Sequence, residues 1–337
     1  MKRIGLMGEQ FGRVVNASAG CLIALCASAA ICSSALAAQD YPNRPVRMIV
    51  PYAAGGPTDT FARSLAESWG RKLGNTLIVE NKTGAGTLVG TELAAKANPD
   101  GYTVLLTTVA HAVNPSIHER LPYRTIEDFL PIGLAAKAPL VLVVNKSLPV
   151  NTLAQFIDYL KTHPGKVNYG SAGVGSAPHL AGELLNYMAG TKAIHVPYRG
   201  SAPAMADVIG GHLDFMIDSA PTGLAQVQAG TVKLLATSMA QRLPQTPDTP
   251  AMGEQIKGYD AYTWNAVFVP AGTPPEVAAK LTSSLREALQ DEALKRRAYD
   301  MGLIIEPNPD PKALSAFLDS ELEKWSKVAK AANMSAN

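Results

Sequence analysis

The sequence predicts an α/β fold built in two lobes. Runs rich in β-branched residues alternate with amphipathic helical patterns, which is typical of α/β proteins with largely parallel sheets. Two strand candidates end in glycine-rich loops that lead directly into helices. Two segments rich in Pro and Gly, Pro131–Pro139 and Asp248–Tyr262, are candidate crossovers between the lobes, so the middle lobe is predicted to be an insertion in the first. Such a two-strand hinge suits a cleft that opens and closes.

The first third of the chain alternates clearly. Strands are predicted in "VRMIVPY", "NTLIVEN" and "YTVLLTT", where Val, Ile, Leu and Thr dominate. Between them lie two predicted helices, "PTDTFARSLAESWGRKLG" and "GTLVGTELAAKANPDG". The first is amphipathic and ends at Gly74, and Pro99-Asp100-Gly101 stops the second.

The middle of the chain continues the alternation after an apolar run, "GLAAKAPLVLVVNKS". Thr152 is the predicted N-cap of the helix "TLAQFIDYLKTHPG". The predicted strands are then "KVNYGSA", "KAIHVPYRG", "LDFMIDS" and "VKLLATS", and the predicted helices are "APHLAGELLNYMAG", "SAPAMADVIGG" and "PTGLAQVQAG". Two longer helices close the chain, a broken one over "PPEVAAKLTSSLREALQDEALKRRAYDMG" and a second over "DPKALSAFLDSELEKWSKVAKAAN".

The length and composition are those of an ordinary globular protein. The 337 residues fit two domains of moderate size, and 47% of them are apolar and 17% charged, with a formal charge of +2. This balance argues against a disordered chain and against a nucleic-acid-binding surface.

The N-terminus reads as a cleaved secretory signal peptide, residues 1–37. Lys2 and Arg3 precede an uncharged run from Val14 to Ala38, and Ala35-Leu36-Ala37 provides a small-x-small cleavage site. An uncleaved membrane anchor is the alternative. The three cysteines all lie in this leader, so the mature chain is expected to have no disulfide and no thiolate metal site. Without the leader the chain is formally neutral, so any anion binding must come from local geometry.

Two strand–loop–helix junctions are the main binding candidates. The first loop, Pro51–Asp59, contains Gly55 and Gly56, and the second, Gly170–His179, contains three more glycines and two serines. Free N–H groups and the positive end of the helix dipole face such loops, so a carboxylate or phosphate can bind there without Lys or Arg. The alternatives are helix capping by Thr58 or Asp59 in the first loop and a flexible turn in the second.

The remaining motifs are weaker. The run Gly84–Gly90 has GxGxxxG spacing, one residue longer than a dinucleotide fingerprint. Asp218 ends a strand, where it could bond a ligand amine or hydroxyl, or cap the next helix. The chain has no GxSxG or HExxH motif and no close metal-ligand spacing among its six histidines. His195 is expected to be structural and His179 to be the better contact candidate. No metal, cofactor or catalytic residue is predicted, and an enzyme is the less favoured reading.

Several segments together resemble a known family. "YPNRPVRMIVPYAAGGPTDTFARSLAE", "VENKTGAGTLVGTELAAKANPDGYTVLL", "NYGSAGVGSAPHLAGELL", "VPYRGSAPAMADVIGGHLDFMIDSAPT" and "LATSMAQRLPQTPDTPAMGE" occur in order over nearly the whole chain after the leader. They resemble the Bug family of bacterial periplasmic solute-binding proteins, related to the substrate-binding subunit of tripartite tricarboxylate transporters. One departure is Ala110-His111-Ala112, where small hydroxyl or glycine residues are expected, so the identity of the ligand cannot be carried over.

The resemblance implies a type II periplasmic binding fold, with a small carboxylate held between two lobes. The lobes are expected at 38–140 plus 263–337 and at 141–262. The two loops are expected to form the two sides of the site, with Thr87, Thr108 and Asp218 as wall residues. The full set of predicted contacts is Tyr52, Ala54, Gly55, Gly56, Thr58, Asp59, Thr87, Thr108, Ser171, Ala172, Gly173, Gly175, Ser176, His179 and Asp218.

The predicted function is capture of a small carboxylate in the periplasm and delivery to a membrane transporter. Monocarboxylates, dicarboxylates, tricarboxylates, amino acids and aromatic acids all remain open as ligands. A sensor that feeds a signalling receptor would share the fold and the cleft and is the first alternative. The protein is expected to act as a monomer, without nucleic acid.

Overall fold

A computed structural model describes residues 41–336, and the predicted signal peptide lies outside these residues. In the described part, the strands are β1 Val46–Val50, β2 Leu77–Asn81, β3 Thr103–Thr107, β4 Phe129–Asn145, β5 Asn168–Ser171, β6 Ile194–Pro197, β7 Phe215–Ser219, β8 Val232–Thr237, β9 Tyr262–Pro270 and β10 Ile304–Ile305. The α-helices are α1 Pro57–Leu73, α2 Leu88–Ala95, α3 Ala110–Ile117, α4 Leu153–Thr162, α5 Ala177–Ala189, α6 Ser201–Gly210, α7 Ala220–Gln228, α8 Pro275–Leu289, α9 Glu292–Asp300 and α10 Pro311–Ala331.

The strands form one continuous sheet in the order β2-β1-β3-β9-β4-β7-β5-β6, and β8 and β10 also pair with β4. The long strand β4 connects the two halves of this sheet. Its first part, Phe129–Pro139, pairs with β9, and its second part, Leu140–Asn145, pairs with β7 and β8. The α/β class is confirmed.

The expectation of largely parallel pairing is wrong for the centre of the sheet. Parallel pairs occur in the outer ladders, where β1 pairs with β2 and β3, and β5 pairs with β6 and β7. The strands β4 and β9 run antiparallel to every strand with which they pair. The sequence does not reveal the direction of these two strands. Both of their faces are covered, so their residues form apolar runs without the alternation that marks a half-buried strand.

The ends of several helices follow local rules. The helix α1 ends at Gly74, which has a φ of 81° and donates its N–H to the carbonyl of Gly70 at 3.0 Å. Thr152 caps α4 as predicted, since its side chain accepts a hydrogen bond from the N–H of Gln155. The predicted break in the long C-terminal pattern lies between α8 and α9, where the Asp291 side chain accepts bonds from the first turn of α9. The helix α3 and the strand β9 are not predicted by the sequence patterns.

The C-terminal helix α10 is fixed to the connecting strand β9 by a buried carboxylate. Glu321, only 3% exposed, accepts a hydrogen bond from the indole N–H of Trp264 at 2.9 Å and another from Trp325 at 3.0 Å. Lys324 forms an ion pair with the same carboxylate. The large core on this side of the sheet includes all three of Trp264, Trp325 and Tyr169, so it extends across both halves.

Candidate functional site

A cleft of about 610 Å³ lies where the two halves of the sheet meet. Its lining comes from segments far apart in the chain, namely Tyr52, Gly55, Pro57, Thr58, Thr60, Thr108, Val109, Ala110, Ala138, Pro139, Leu140, Ala172, Gly175, Ser176, Ala177, Pro178, Ser201, Asp218, Ser219, Pro221, Thr222, Thr263, Met301, Gly302 and Leu303. Within the described part of the chain, this lining contains no Lys or Arg, and Asp218 is its one formally charged member.

The first turns of several helices converge on this cleft. Thr58 belongs to the first turn of α1, Ala110 to that of α3, and Ala177 to that of α5. The first turns of α6 and α7 contribute Ser201 and Thr222. The N–H groups of a first turn have no partner within the helix, and the dipole makes that end positive. The cleft can therefore hold an anion without a cationic side chain.

Asp59 holds the first loop in shape from behind. Its buried carboxylate accepts hydrogen bonds from the Gly55 N–H at 2.8 Å, from Arg63 Nε at 3.0 Å and from Asn81 Nδ2 at 2.9 Å. Burial alone would raise the pKa of Asp59, but the three donors outweigh it and hold this pKa below its usual value. The loop is thus preorganised, with Gly55 at a φ of 78° that suits glycine. Tyr52 Oη bonds Thr108 Oγ1 at 2.6 Å beside it.

Ser171 plays the corresponding role in the second loop. Its side chain is fully buried, and Oγ lies 2.6 Å from His195 Nε2 and accepts the Gly173 N–H at 3.1 Å. Ser176 Oγ donates to the Gly173 carbonyl at 2.7 Å and so tightens the same turn. The bonds to Gly173 are made within the loop and the bond to His195 ties the loop to β6, so together they fix the loop backbone.

Two stacked histidines contact the second loop, His179 through Gly175 and His195 through Ser171. The rings of His179 and His195 have centroids 3.8 Å apart, and His179 Nδ1 accepts the Gly175 N–H at 3.1 Å. Burial, together with the neighbouring His195, lowers the pKa of His179 to about 3, and burial lowers that of His195 to about 4. Both rings are therefore neutral at pH 7, which the acceptor role of His179 requires.

Acidification is expected to destabilise the fold well before the carboxylates titrate. The unfolded histidines bind protons near pH 6.5, whereas His179, His195 and the buried His111, whose pKa burial lowers to about 4, do so only at lower pH. The unfolded state then holds more protons, so the free energy of unfolding falls as the pH drops from about 6.5 to about 4, by about 1.4 kcal/mol per pH unit for each histidine. Urea unfolding at several pH values measures this slope. In His111→Phe, the slope should be shallower by one proton, and an unchanged slope would contradict the assignment.

Asp218 faces the cleft from the end of β7. Its carboxylate accepts from Ser201 Oγ at 2.8 Å and from Thr222 Oγ1 at 2.5 Å, which lie in the first turns of α6 and α7. Thr222 also bonds Ser219. The carboxylate therefore ties two helix N-termini to one strand end, and those N-termini offset its negative charge.

The structure separates the predicted contact residues into two groups. Tyr52, Gly55, Thr58, Thr108, Ala172, Gly175, Ser176 and Asp218 line the cleft. Ala54, Gly56, Asp59, Thr87, Ser171, Gly173 and His179 do not. Among the second group, Thr87 lies behind the wall, where its Oγ1 accepts from Asn114 Nδ2 at 3.0 Å. Whether any residue of either group contacts a ligand stays a prediction.

The unusual Ala110-His111-Ala112 segment begins α3, and its first two side chains lie in different places. Ala110 lines the cleft, whereas His111 is 1% exposed and packs among the rings of Tyr123, Phe129 and Phe268. Its Nε2 lies 3.2 Å from the carbonyl of Thr125. The histidine is therefore a core residue, and the wall at this point is a methyl group.

Sequence reasoning missed part of the lining. Thr263, Ser201 and the segment Met301–Leu303 reach the cleft from β9, α6 and the end of α9. Nothing in their local patterns marks them, because their position depends on how distant strands pair.

None of the helices over residues 41–336 combines the length and the apolar character that a membrane span requires.

Known proteins similar to this chain are solute-binding proteins and transporter receptors. Residues 61–334 match the family described as "Tripartite tricarboxylate transporter family receptor". The periplasmic binding protein BugD is 38% identical, with a TM-score of 0.72, over 88% of this chain and 99% of that chain. A protein of R. palustris solved with adipate is 31% identical, with a TM-score of 0.74 and the same two coverages. MatC from Rhodopseudomonas palustris with bound malate is 30% identical, with a TM-score of 0.72, over 86% of this chain and 99% of that chain.

Identities of 30% or more over 86% or more of this chain are higher than a shared fold alone requires. The resemblance to Bug proteins is confirmed, and so is the two-lobe α/β fold with a cleft. The chain therefore belongs to the tripartite tricarboxylate transporter receptor family, whose members are periplasmic solute-binding proteins of the Bug and TctC type rather than enzymes.

Proposed function

We propose that this protein captures a small carboxylate in its cleft and delivers it to a membrane transporter of the tripartite tricarboxylate type. The observation that carries the proposal is the convergence of helix N-termini on a cleft whose described lining has no Lys or Arg. An anion there gains N–H donors and a favourable dipole field, whereas a cation would meet the positive ends of the helices. The adipate and malate bound by related proteins support a small carboxylate as ligand.

The two groups of predicted residues have different roles in this proposal. Thr58, Ser176 and the neighbouring first-turn amides bind the ligand, together with the hydroxyls of Tyr52 and Thr108. Asp59, Ser171 and His179 do not line the cleft, and they act by holding the loops through hydrogen bonds within the protein. Contacts made by both loops at once favour the closed cleft, and a permease reads that form. Lobes at 38–140 plus 263–337 and 141–262, and secretion through a cleaved leader, are part of the proposal.

A thermal-shift screen tests the ligand class. The protein is unfolded and refolded to strip any bound ligand, and then melted with small carboxylates and with their uncharged amides. A ligand at about 100 times its Kd adds about 2.7 kcal/mol, which raises the melting temperature by several degrees. A shift with an acid and none with its amide is expected. A flat panel would overturn the carboxylate proposal.

Gly56→Val is expected to weaken binding while leaving the protein folded. A Cβ at position 56 would lie 3.2 Å from the carbonyl oxygen of Ala53, so the first loop has to shift. The φ of −74° at Gly56 is open to any residue, so the helix itself is not strained. Calorimetric titration with the acid found in the screen should show about a tenfold rise in Kd, or about 1.4 kcal/mol. Full affinity in this variant would contradict the role of the first loop.

A further inference from the structure

A second cavity of about 470 Å³ adjoins the ligand cleft. The two share Pro221 and Gly302 as wall residues, so they meet at these positions. Pro221 lies in the first turn of α7, and Gly302 follows the end of α9. The contact between Pro221 and Gly302 forms the wall that separates the cleft from the second cavity.

This contact is tight and leaves no room for a side chain. A Cβ built on Gly302 would lie 2.6 Å from Cγ and 2.8 Å from Cδ of the Pro221 ring. Real Cβ atoms do not approach that closely, and a proline ring cannot rotate away. Gly302 also has a φ of 67°, which favours glycine.

The segment that carries Gly302 is held firmly. The N–H groups of Met301, Gly302 and Leu303 donate to the carbonyls of Arg297, Tyr299 and Ala298, respectively, at 2.8 to 3.1 Å. The next residue, Ile304, pairs with Lys137 of β4. The wall is therefore anchored to both α9 and the sheet, and a ligand cannot displace it at low cost.

The chemistry of the second cavity differs from that of the cleft. Leu224, Val227 and Leu234 give it apolar walls. Asp300 adds a carboxylate, and the uncharged polar side chains of the lining are Gln228, Gln245, Thr246 and Tyr299. No Lys or Arg of the described chain lines it. An uncharged alkyl chain fits this space, whereas a second carboxylate would meet the like charge of Asp300.

We infer that the Pro221–Gly302 contact is an end stop that limits the chain length of the ligand, so that the protein selects short-chain carboxylates. The inference rests on the proposed function, because it assumes a carboxylate bound by the helix N-termini in the cleft. When the alkyl chain of a longer ligand points towards this wall, its end meets the ring of Pro221. Beyond this wall lies the second cavity, whose volume of about 470 Å³ would hold several methylene groups.

Pro221→Ala tests the end stop, because it removes Cγ and Cδ, the atoms that face Gly302, and keeps the backbone position. Straight-chain monocarboxylates from butanoate to decanoate serve as probes in calorimetric titrations. The unmodified protein is expected to lose affinity at least tenfold once the chain exceeds its optimum by two methylenes. In Pro221→Ala, the optimum should move by two or more methylenes, with at least a tenfold gain for the longer acids.

Three further variants make the result specific. Pro275→Ala removes a proline at the start of α8, outside the cleft lining, and should keep the original length profile. Ala225→Trp, which fills the second cavity, should restore that profile when added to Pro221→Ala. Ala225→Trp alone, in the otherwise unmodified protein, should leave the length profile unchanged, which keeps the test valid if Pro221→Ala fails to fold.

The outcomes separate this inference from the proposed function. If the unmodified protein binds no acid of this series or of the thermal-shift panel, both are overturned. If it binds acids, but Pro221→Ala leaves the length profile unchanged or Ala225→Trp alone changes it, the end stop alone is overturned. A shifted profile that Ala225→Trp reverses supports the end stop.

Discussion

Glu321→Ala is expected to lower the free energy of unfolding by about 3 to 5 kcal/mol, the largest effect on stability that we predict for a single substitution. The carboxylate is 3% exposed and accepts from two indole N–H groups, those of Trp264 and Trp325. Its removal leaves both buried donors unpaired, at about 1 to 3 kcal/mol each. It also removes the ion pair with Lys324. Because Trp264 lies on β9 and Trp325 on α10, the loss also loosens the attachment of the C-terminal helix.

Urea unfolding, followed by circular dichroism and tryptophan fluorescence, measures this change. Glu323→Ala is the matched control, since Glu323 lies on the same helix with its side chain 70% exposed and paired with Lys327. Its loss should leave the free energy of unfolding nearly unchanged, because the pair is exposed to solvent. Glu321→Gln, which keeps one acceptor oxygen, should fall between the two. Equal stability of Glu321→Ala and Glu323→Ala would contradict the role assigned to Glu321.

Thr58→Glu is expected to reduce the affinity for a carboxylate ligand by about 100-fold, the largest effect on binding. Thr58 lies in the first turn of α1 and lines the cleft. A carboxylate placed there would stand within about 5 Å of the ligand's own charge, and the repulsion at an effective dielectric constant of about 20 amounts to about 3 kcal/mol. The fold should be unaffected, because an acidic residue in the first turn of a helix is favourable.

Thr58→Gln has nearly the same shape as Thr58→Glu without the charge, so it separates electrostatic repulsion from steric obstruction. Its affinity should stay within a few-fold of the Thr58→Ala variant. The difference between the Glu and Gln variants should shrink as the salt concentration rises. Equal affinities for the two variants would show that the helix N-terminus does not hold the anionic group.

The two glycine-rich loops could be recognised from sequence because their signals are local. A strand-forming run, a glycine that permits a left-handed turn and a helix that begins with proline lie within a few residues of each other at Gly55–Pro57. The same holds for Ser171–Pro178. Local patterns also located the cap at Thr152 and the break before α9, since those depend on hydrogen bonds within one turn.

Such local patterns do not predict which way the side chains of the loops point. Asp59 and Ser171 have the chemistry of ligand contacts, but each is consumed by partners that are distant in sequence, Asn81 for the first and His195 for the second. The same limit applies to the antiparallel strand β9, whose partners β3 and β4 lie more than a hundred residues earlier in the chain.

The sequence by itself determined the α/β class, the two loops with their helix N-termini and the family of this protein. Each depends on residue order, through strand and helix periods, glycine conformations and a series of matching segments. Only the tertiary structure decided which side chains face the cleft, that Glu321 joins α10 to β9, and that Pro221 meets Gly302 between the two cavities. These features arise where segments from different parts of the chain pack together, and packing at ångström distances is set by the whole fold rather than by any one segment.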